Sequence, residues 1–99
     1  MAHRVAPAAE IELDKIWHFV ATHSDSVAIA DRVIESITDR FILLARYPEI
    51  GRSRHHDLRR DLRSFAVGEY IIFYRIEGKK DVLIVHVIRG SRDIESLLE

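Results

Sequence analysis

The side chains of this 99-residue sequence that could do acid–base, metal or phosphate chemistry are six histidines and a set of arginines concentrated in the second half. His86 is the first to weigh, because an imidazole titrates near neutrality and suits proton transfer. It lies in Val82-Leu83-Ile84-Val85-His86-Val87-Ile88, where alternation places it beside Val82, Ile84 and Ile88 on one strand face. A histidine on such a face is read as packed and hydrogen-bonded rather than catalytic. His55 and His56 are adjacent and point apart if extended, and His18 and His23, five apart, do not share a helix face. Neither pair has a third ligand at a matching spacing, and there is no cysteine, so no metal site and no cofactor is expected.

The arginines make the stronger pattern. Arg63, Arg75, Arg89 and Arg92 fall on adjacent expected strands and the turn beyond them, and are expected to converge at one end of a sheet. Their plainer reading is ion pairing with Glu69, Glu77 and Asp93. Residues 1–50 carry 5 Lys/Arg and 8 Asp/Glu, a net of −3, whereas residues 51–99 carry 10 and 8, a net of +2. Five arginines, two aspartates and two histidines sit between Arg52 and Arg63. That segment could meet an anionic partner, or simply be a solvated loop with partly cancelled charge. Tyr70 and Tyr74 share a strand face with Ile72 and read as core aromatics with hydroxyls at the rim. Trp17 reads as core too, although its indole could line a groove for a partner helix.

These residues need elements to hold them. A chain of this length forms one domain around one modest core. No apolar run approaches the roughly 20 residues of a membrane helix, and the N-terminus lacks the apolar stretch of a signal peptide, so a cytoplasmic protein is expected. Ala2–Ala6 suggests a short strand. Pro7 suits the first position of a helix, Glu10 and Glu12 fall near its positive end, and Ala9, Leu13, Ile16, Trp17 and Val20 form one stripe ending near Thr22. Ser24-Asp25-Ser26 breaks the chain and offers a cap. Ala30, Val33, Ile34, Ile37, Phe41, Leu44 and Ala45 then mark a longer helix stopped by Pro48, with Gly51 freeing the turn. The two helices should form an antiparallel hairpin.

The second half changes period. Leu62–Val67, Tyr70–Glu77 and Asp81–Arg89 read as strands joined by turns at Gly68-Glu69 and Gly78-Lys79-Lys80. Short turns force an antiparallel meander. The last strand is apolar on both faces and should be central. Ser91–Leu98 suggests a short terminal helix. The predicted fold is α+β, in the order β-α-α-β-β-β, with the helical hairpin on one face of an antiparallel sheet.

Four segments, in this order and at these separations, carry a family likeness: Leu44-Ala45-Arg46-Tyr47-Pro48-Glu49-Ile50-Gly51-Arg52, Asp61-Leu62-Arg63-Ser64, Gly68-Glu69-Tyr70-Ile71-Ile72-Phe73-Tyr74-Arg75 and His86-Val87-Ile88-Arg89-Gly90-Ser91-Arg92-Asp93-Ile94. The sequence resembles the ParE/RelE toxin superfamily over nearly its whole length and is closer to the ParE branch. The resemblance implies the toxin of a type II toxin–antitoxin pair. A ParE-like toxin inhibits DNA gyrase and is neutralised by a ParD-like antitoxin in a hetero-oligomer, with no sequence-specific DNA binding of its own. Trp17, Arg63, Arg75, Arg89 and Arg92 are the residues expected to contact the antitoxin, and Arg89 and Arg92 those expected to contact the target.

The RelE branch instead cleaves messenger RNA in the ribosomal decoding site, which needs a base and several fixed cations at one spot. Its pattern has basic residues on the first meander strand, an arginine after the tyrosine opening the second, another after the glycine ending the last, and an aromatic hydroxyl near the C-terminus. Here Arg92 fills the third place, Ile71 stands in the second, and Leu98 falls near the last. The first strand offers Arg59 or Arg60, then Asp61. The expectation is therefore a non-enzymatic inhibitor, with a ribonuclease and a weakly toxic co-repressor acting with its antitoxin as the alternatives.

Overall fold

The computed structural model describes residues 2–54, 61–79 and 81–90. Strand β1 (His3–Val5) leads into helix α1 (Pro7–Ser24), which Pro7 opens with its preset φ and no wasted N–H. The helix ends where Asp25 takes a left-handed φ of 54°, a conformation that aspartate tolerates better than most residues. The Ser26 hydroxyl then accepts the Ile29 N–H at 3.1 Å, capping α2 (Val27–Arg46). Pro48 ends that helix, and the predicted hairpin of helices is present.

Strands β2 (Arg52–Ser53), β3 (Arg63–Val67), β4 (Tyr70–Glu77) and β5 (Asp81–Arg89) follow, in the sheet order β1-β5-β4-β3-β2. The meander β3-β4-β5 is antiparallel, and β5 lies between β4 and β1. The α+β architecture with a hairpin on one face is thus as expected, but the sheet is mixed. β1 pairs in parallel with β5, from His3 opposite Val82 to Val5 opposite Ile84. No tight turn joins β1 to its partner, so nothing local in the sequence sets their relative direction. The short β2 was not anticipated either, because two residues carry no readable period. The suggested helix at Ser91–Leu98 lies outside the described residues.

The main core is the interface between the hairpin and one sheet face. Ala9 of α1 and Ile37, Phe41 and Leu44 of α2 meet Val67, Ile72, Tyr74, Val82, Ile84 and Val87. Each fully buried Val, Ile, Leu or Phe side chain contributes roughly 1.5–3 kcal/mol relative to exposure. Leu62, Phe73 and Ile88 form a second buried cluster, with Ile71 packed against it. β5 therefore buries side chains from both faces, as its unbroken apolar run suggested.

The alternation read for β5 fails at one point. Phe73 pairs with His86 but Tyr74 pairs with Ile84, so Val85 is an extra residue in a bulge. The bulge resets the face pattern. Val82, Ile84 and Val87 join the main core, whereas Ile88 joins the second cluster. His86 consequently keeps the face of Ile88 but not that of Val82 and Ile84, which strict alternation would have put beside it.

Beyond α2 the chain is fixed by one buried phenol. Tyr74 Oη donates to the Pro48 carbonyl at 2.7 Å and accepts the Gly51 N–H at 2.9 Å. A Cβ on Gly51 would stand 2.3 Å from that oxygen and 2.8 Å from the Ser64 carbonyl oxygen. Glycine is needed here for close approach, not for a positive φ. Burial raises the Tyr74 pKa, against the lowering effects of the Gly51 N–H and the Arg63 charge.

Candidate functional site

The register of the sheet decides which arginines can act together. Arg63 stands opposite Tyr74, and Arg75 opposite Leu83, both toward the β4–β5 turn. Arg89 stands opposite Tyr70, at the other end of β4. Along β4, Tyr70 lies four positions from Tyr74 and five from Arg75, or roughly 13–17 Å at about 3.3 Å per residue. The expected convergence of the arginines is therefore absent: Arg63 and Arg75 lie at one end of the sheet and Arg89 at the other. Arg92 lies outside the described residues.

Each described arginine has a distinct local role. Arg63 Nη1 donates to the carbonyls of Gly51 at 2.8 Å and Glu49 at 3.3 Å, so it braces the loop after α2. Arg75 is exposed and pairs with Glu77 at 3.3 Å, the plainer reading given above. Arg89 is also largely exposed. Its guanidinium lies 5.4 Å from the centre of the Phe19 ring, and Glu69 accepts from it at 3.5 Å. Phe19, itself 43% exposed, stacks on His23 with ring centres 3.9 Å apart. Arg89, Phe19 and His23 thus form a surface stack joining α1 to the end of β5.

A groove of roughly 380 Å³ opens at the same end of the sheet. Ile29, Val33 and Ile37 of α2 form one wall; Val67, the Gly68-Glu69 turn and Tyr70 form the other. Ile29 is 42% exposed there. Burial raises the Tyr70 pKa, Arg89 lowers it and Glu69 raises it, so its hydroxyl remains a neutral donor at physiological pH. Arg32 and Glu69 sit on the rim, which gives an apolar floor with a charged border. Trp17 does not line this groove. Its indole N–H donates to Asp31 at 2.8 Å, tying α1 to α2, and the ring is half-buried in the hairpin.

His86 is held in a way the sequence did not reveal. β1 pairs with β5 only as far as Ile84, and among the described residues the β5 edge beyond it has no strand neighbour on that side. Glu12 of α1 fills the gap. Its carboxylate accepts the Val87 N–H at 3.0 Å and lies 3.1 Å from His86 Nδ1 through both oxygens. Glu12 read only as a helix-dipole residue in the sequence, and its partner lies 75 positions away. His86 is packed and hydrogen-bonded, as expected, though on a different partner surface. Ile71, standing where the ribonuclease pattern has an arginine, packs against Leu62, Phe73 and Ile88. Among the described residues no three His, Cys, Asp or Glu side chains gather to hold a metal ion, and no helix is long and apolar enough to cross a membrane. His55, His56, Arg59 and Arg60 lie outside the described residues.

Comparison with known proteins agrees with this architecture. Residues 4–94 match the family described as ParE toxin of type II toxin-antitoxin system, parDE. Toxin ParE3 of Caulobacter vibrioides is 31% identical over 87 residues, covering 88% of this chain and 84% of that protein. Toxin RelE3 of the same organism is 29% identical over 87 residues, covering 88% and 90%. A solved structure titled "Chromosomal ParDE TA system from P. aeruginosa" superposes with a TM-score of 0.76 at 18% identity, covering 90% of this chain and 95% of that one. That likeness supports the fold, and the family match spans nearly the whole sequence: the chain belongs to the ParE toxin family of type II toxin–antitoxin systems.

Proposed function

We propose that this toxin acts by binding and inhibiting DNA gyrase in the cytoplasm, and that a ParD-like antitoxin neutralises it in a hetero-oligomer. The observation that carries the choice of binding over catalysis is Ile71. An aliphatic side chain packed against an apolar cluster can neither move a proton nor hold a phosphate.

The antitoxin reading rests on the groove between α2 and the β3–β4 turn. Its apolar walls suit an amphipathic helix laid in a groove, followed by an extended segment. Arg89 stands at the same end of the sheet and would receive a carboxylate from that segment. Its present pair with Glu69 is exposed on both sides, so exchange for a partner's carboxylate costs little. Arg63 is engaged with backbone carbonyls and Arg75 lies at the far end, so Arg89 is the described arginine best placed for this role. Trp17 would contribute indirectly, by fixing the hairpin through Asp31.

Expression without antitoxin tests the reading. Growth should stop, with filamentation and a DNA-damage response while translation continues. A prompt collapse of protein synthesis with cleaved messages would establish the ribonuclease reading instead. Unimpaired growth would favour the co-repressor.

A further inference from the structure

The loop that follows α2 is rigid in its backbone and apolar on its outside. Tyr47 N–H donates to Leu43 O at 2.9 Å and Ile50 N–H to Tyr47 O at 3.0 Å, while Tyr74 and Arg63 hold Pro48 and Gly51. None of these bonds uses the side chains of Tyr47 and Ile50, which are 55% and 49% exposed. Beside them opens a cleft of roughly 630 Å³ between Arg46, Tyr47, Pro48, Glu49, Ile50, Ile76 and Lys79. Aromatic and aliphatic anchors held on a rigid frame beside a pocket are the usual make-up of a binding hot spot.

Charge narrows the occupant. Arg46 and Lys79 have no carboxylate partner among the described residues, so with the Glu49 carboxylate the cleft keeps an excess of positive charge beside its apolar wall. A second copy of the chain packed through this same patch would bring two clefts of the same net positive charge together. A nucleic acid would lay its phosphates against Ile50 and Ile76, which offer them no hydrogen bond and leave the apolar wall unfilled. A protein segment carrying a large apolar side chain next to a carboxylate fits both features.

We propose that this cleft is the surface by which the toxin grips its cellular target, through a protein segment of that composition, and that the antitoxin does not occupy it. The inference rests on the reading of the chain as a toxin that acts by binding. The cleft lies at the β4–β5 turn end, whereas the groove and Arg89 lie at the opposite end of the sheet.

The test compares the full-length wild type with the double variant Tyr47→Ala/Ile50→Ser and with Lys79→Glu, an exposed turn position that guards against a folding defect in the first. Both variants should keep the wild-type thermal transition and bind antitoxin within about twofold of wild type. Potency against gyrase supercoiling should fall at least tenfold for the double variant and about threefold for Lys79→Glu, with Lys79→Arg close to wild type. Wild-type potency in folded variants overturns the proposal. So does a tenfold loss of antitoxin affinity, which assigns the cleft to the antitoxin. A shift in oligomeric state assigns it to a second copy, and a loss of direct binding to a DNA duplex assigns it to nucleic acid. If the wild type arrests growth without touching gyrase, the gyrase reading alone fails, and the variants are scored on growth arrest: a folded double variant that no longer arrests sustains the cleft, and one that arrests normally removes it. A wild type that does neither overturns both readings.

Discussion

The two ends of the sheet use their polar groups in opposite ways. At the β4–β5 turn end, Tyr74 and Arg63 aim their donors inward at the carbonyls of Pro48, Glu49 and Gly51. The loop is thereby fixed, and its apolar side chains are left outside. At the other end, Arg89 and Glu69 make an exposed pair at 3.5 Å, beside a stack of Phe19 and His23 and a groove whose walls are already apolar. One end is a frame that cannot rearrange without losing buried hydrogen bonds. The other holds weak contacts that a partner can replace. Both ends descend from one meander, and the difference arises from where a single buried hydroxyl falls.

The largest effect expected from breaking the rigid end is Gly51→Ala. Its Cβ has no room between Tyr74 and the Ser64 carbonyl, so the substitution should cost about 3 kcal/mol, read from urea denaturation. Tyr74→Phe keeps the ring and removes the hydroxyl. The Gly51 N–H loses its buried acceptor and the Pro48 carbonyl its donor, for about 2 kcal/mol. An unchanged denaturation midpoint in either variant would mean that the loop is not held as described.

At the opposite end the expected effects are on binding. Arg89→Glu should weaken antitoxin binding about tenfold, which corresponds to roughly 1.4 kcal/mol, while leaving stability nearly unchanged. Arg75→Glu, on the far end of β4 and paired with Glu77, should change affinity less than about twofold. Calorimetry with folded proteins separates the two. Equal effects would remove the distinction between the ends.

Much of this was readable in the sequence, and the failures have physical causes. Pro7, Ser26, Pro48 and the periods of 3.6 and 2 located both helices and all three meander strands, because each signal is local. The direction of β1, the bulge at Val85 and the contact of Glu12 with His86 are set by tertiary packing between distant residues, so no local pattern contains them. The arginines illustrate the same limit. Their types and approximate strands were correct, but convergence depended on where each falls along its strand. Arg63 and Arg75 lie near one turn, and Arg89 lies at the end reached only after the chain reverses. Gly51 was noticed for the wrong reason: its role is to admit the Tyr74 hydroxyl, and that residue is 23 positions away.

The smallest effect expected at the rigid end is on the pH dependence of stability. Burial raises the Tyr74 pKa above the ordinary phenol value of 10.0, so the folded state favours the neutral hydroxyl. That contribution is fully present below pH 10.0 and is lost as pH rises through the higher folded value. Thermal stability of the wild type should therefore fall more steeply above about pH 10 than that of Tyr74→Phe. Parallel curves would show that the phenol does not titrate with unfolding.

If this toxin harms by binding rather than by chemistry, as proposed, it should stop its target without cutting RNA. Purified, folded protein should be titrated into a gyrase supercoiling reaction and, in parallel, into a cell-free translation reaction containing ribosomes and messenger RNA. Supercoiling should be inhibited, with inhibition relieved by a ParD-like antitoxin, while translation proceeds and the messages stay intact. Unaffected supercoiling at large molar excess, with messages cut in a ribosome-dependent way, would make the toxin a ribonuclease instead.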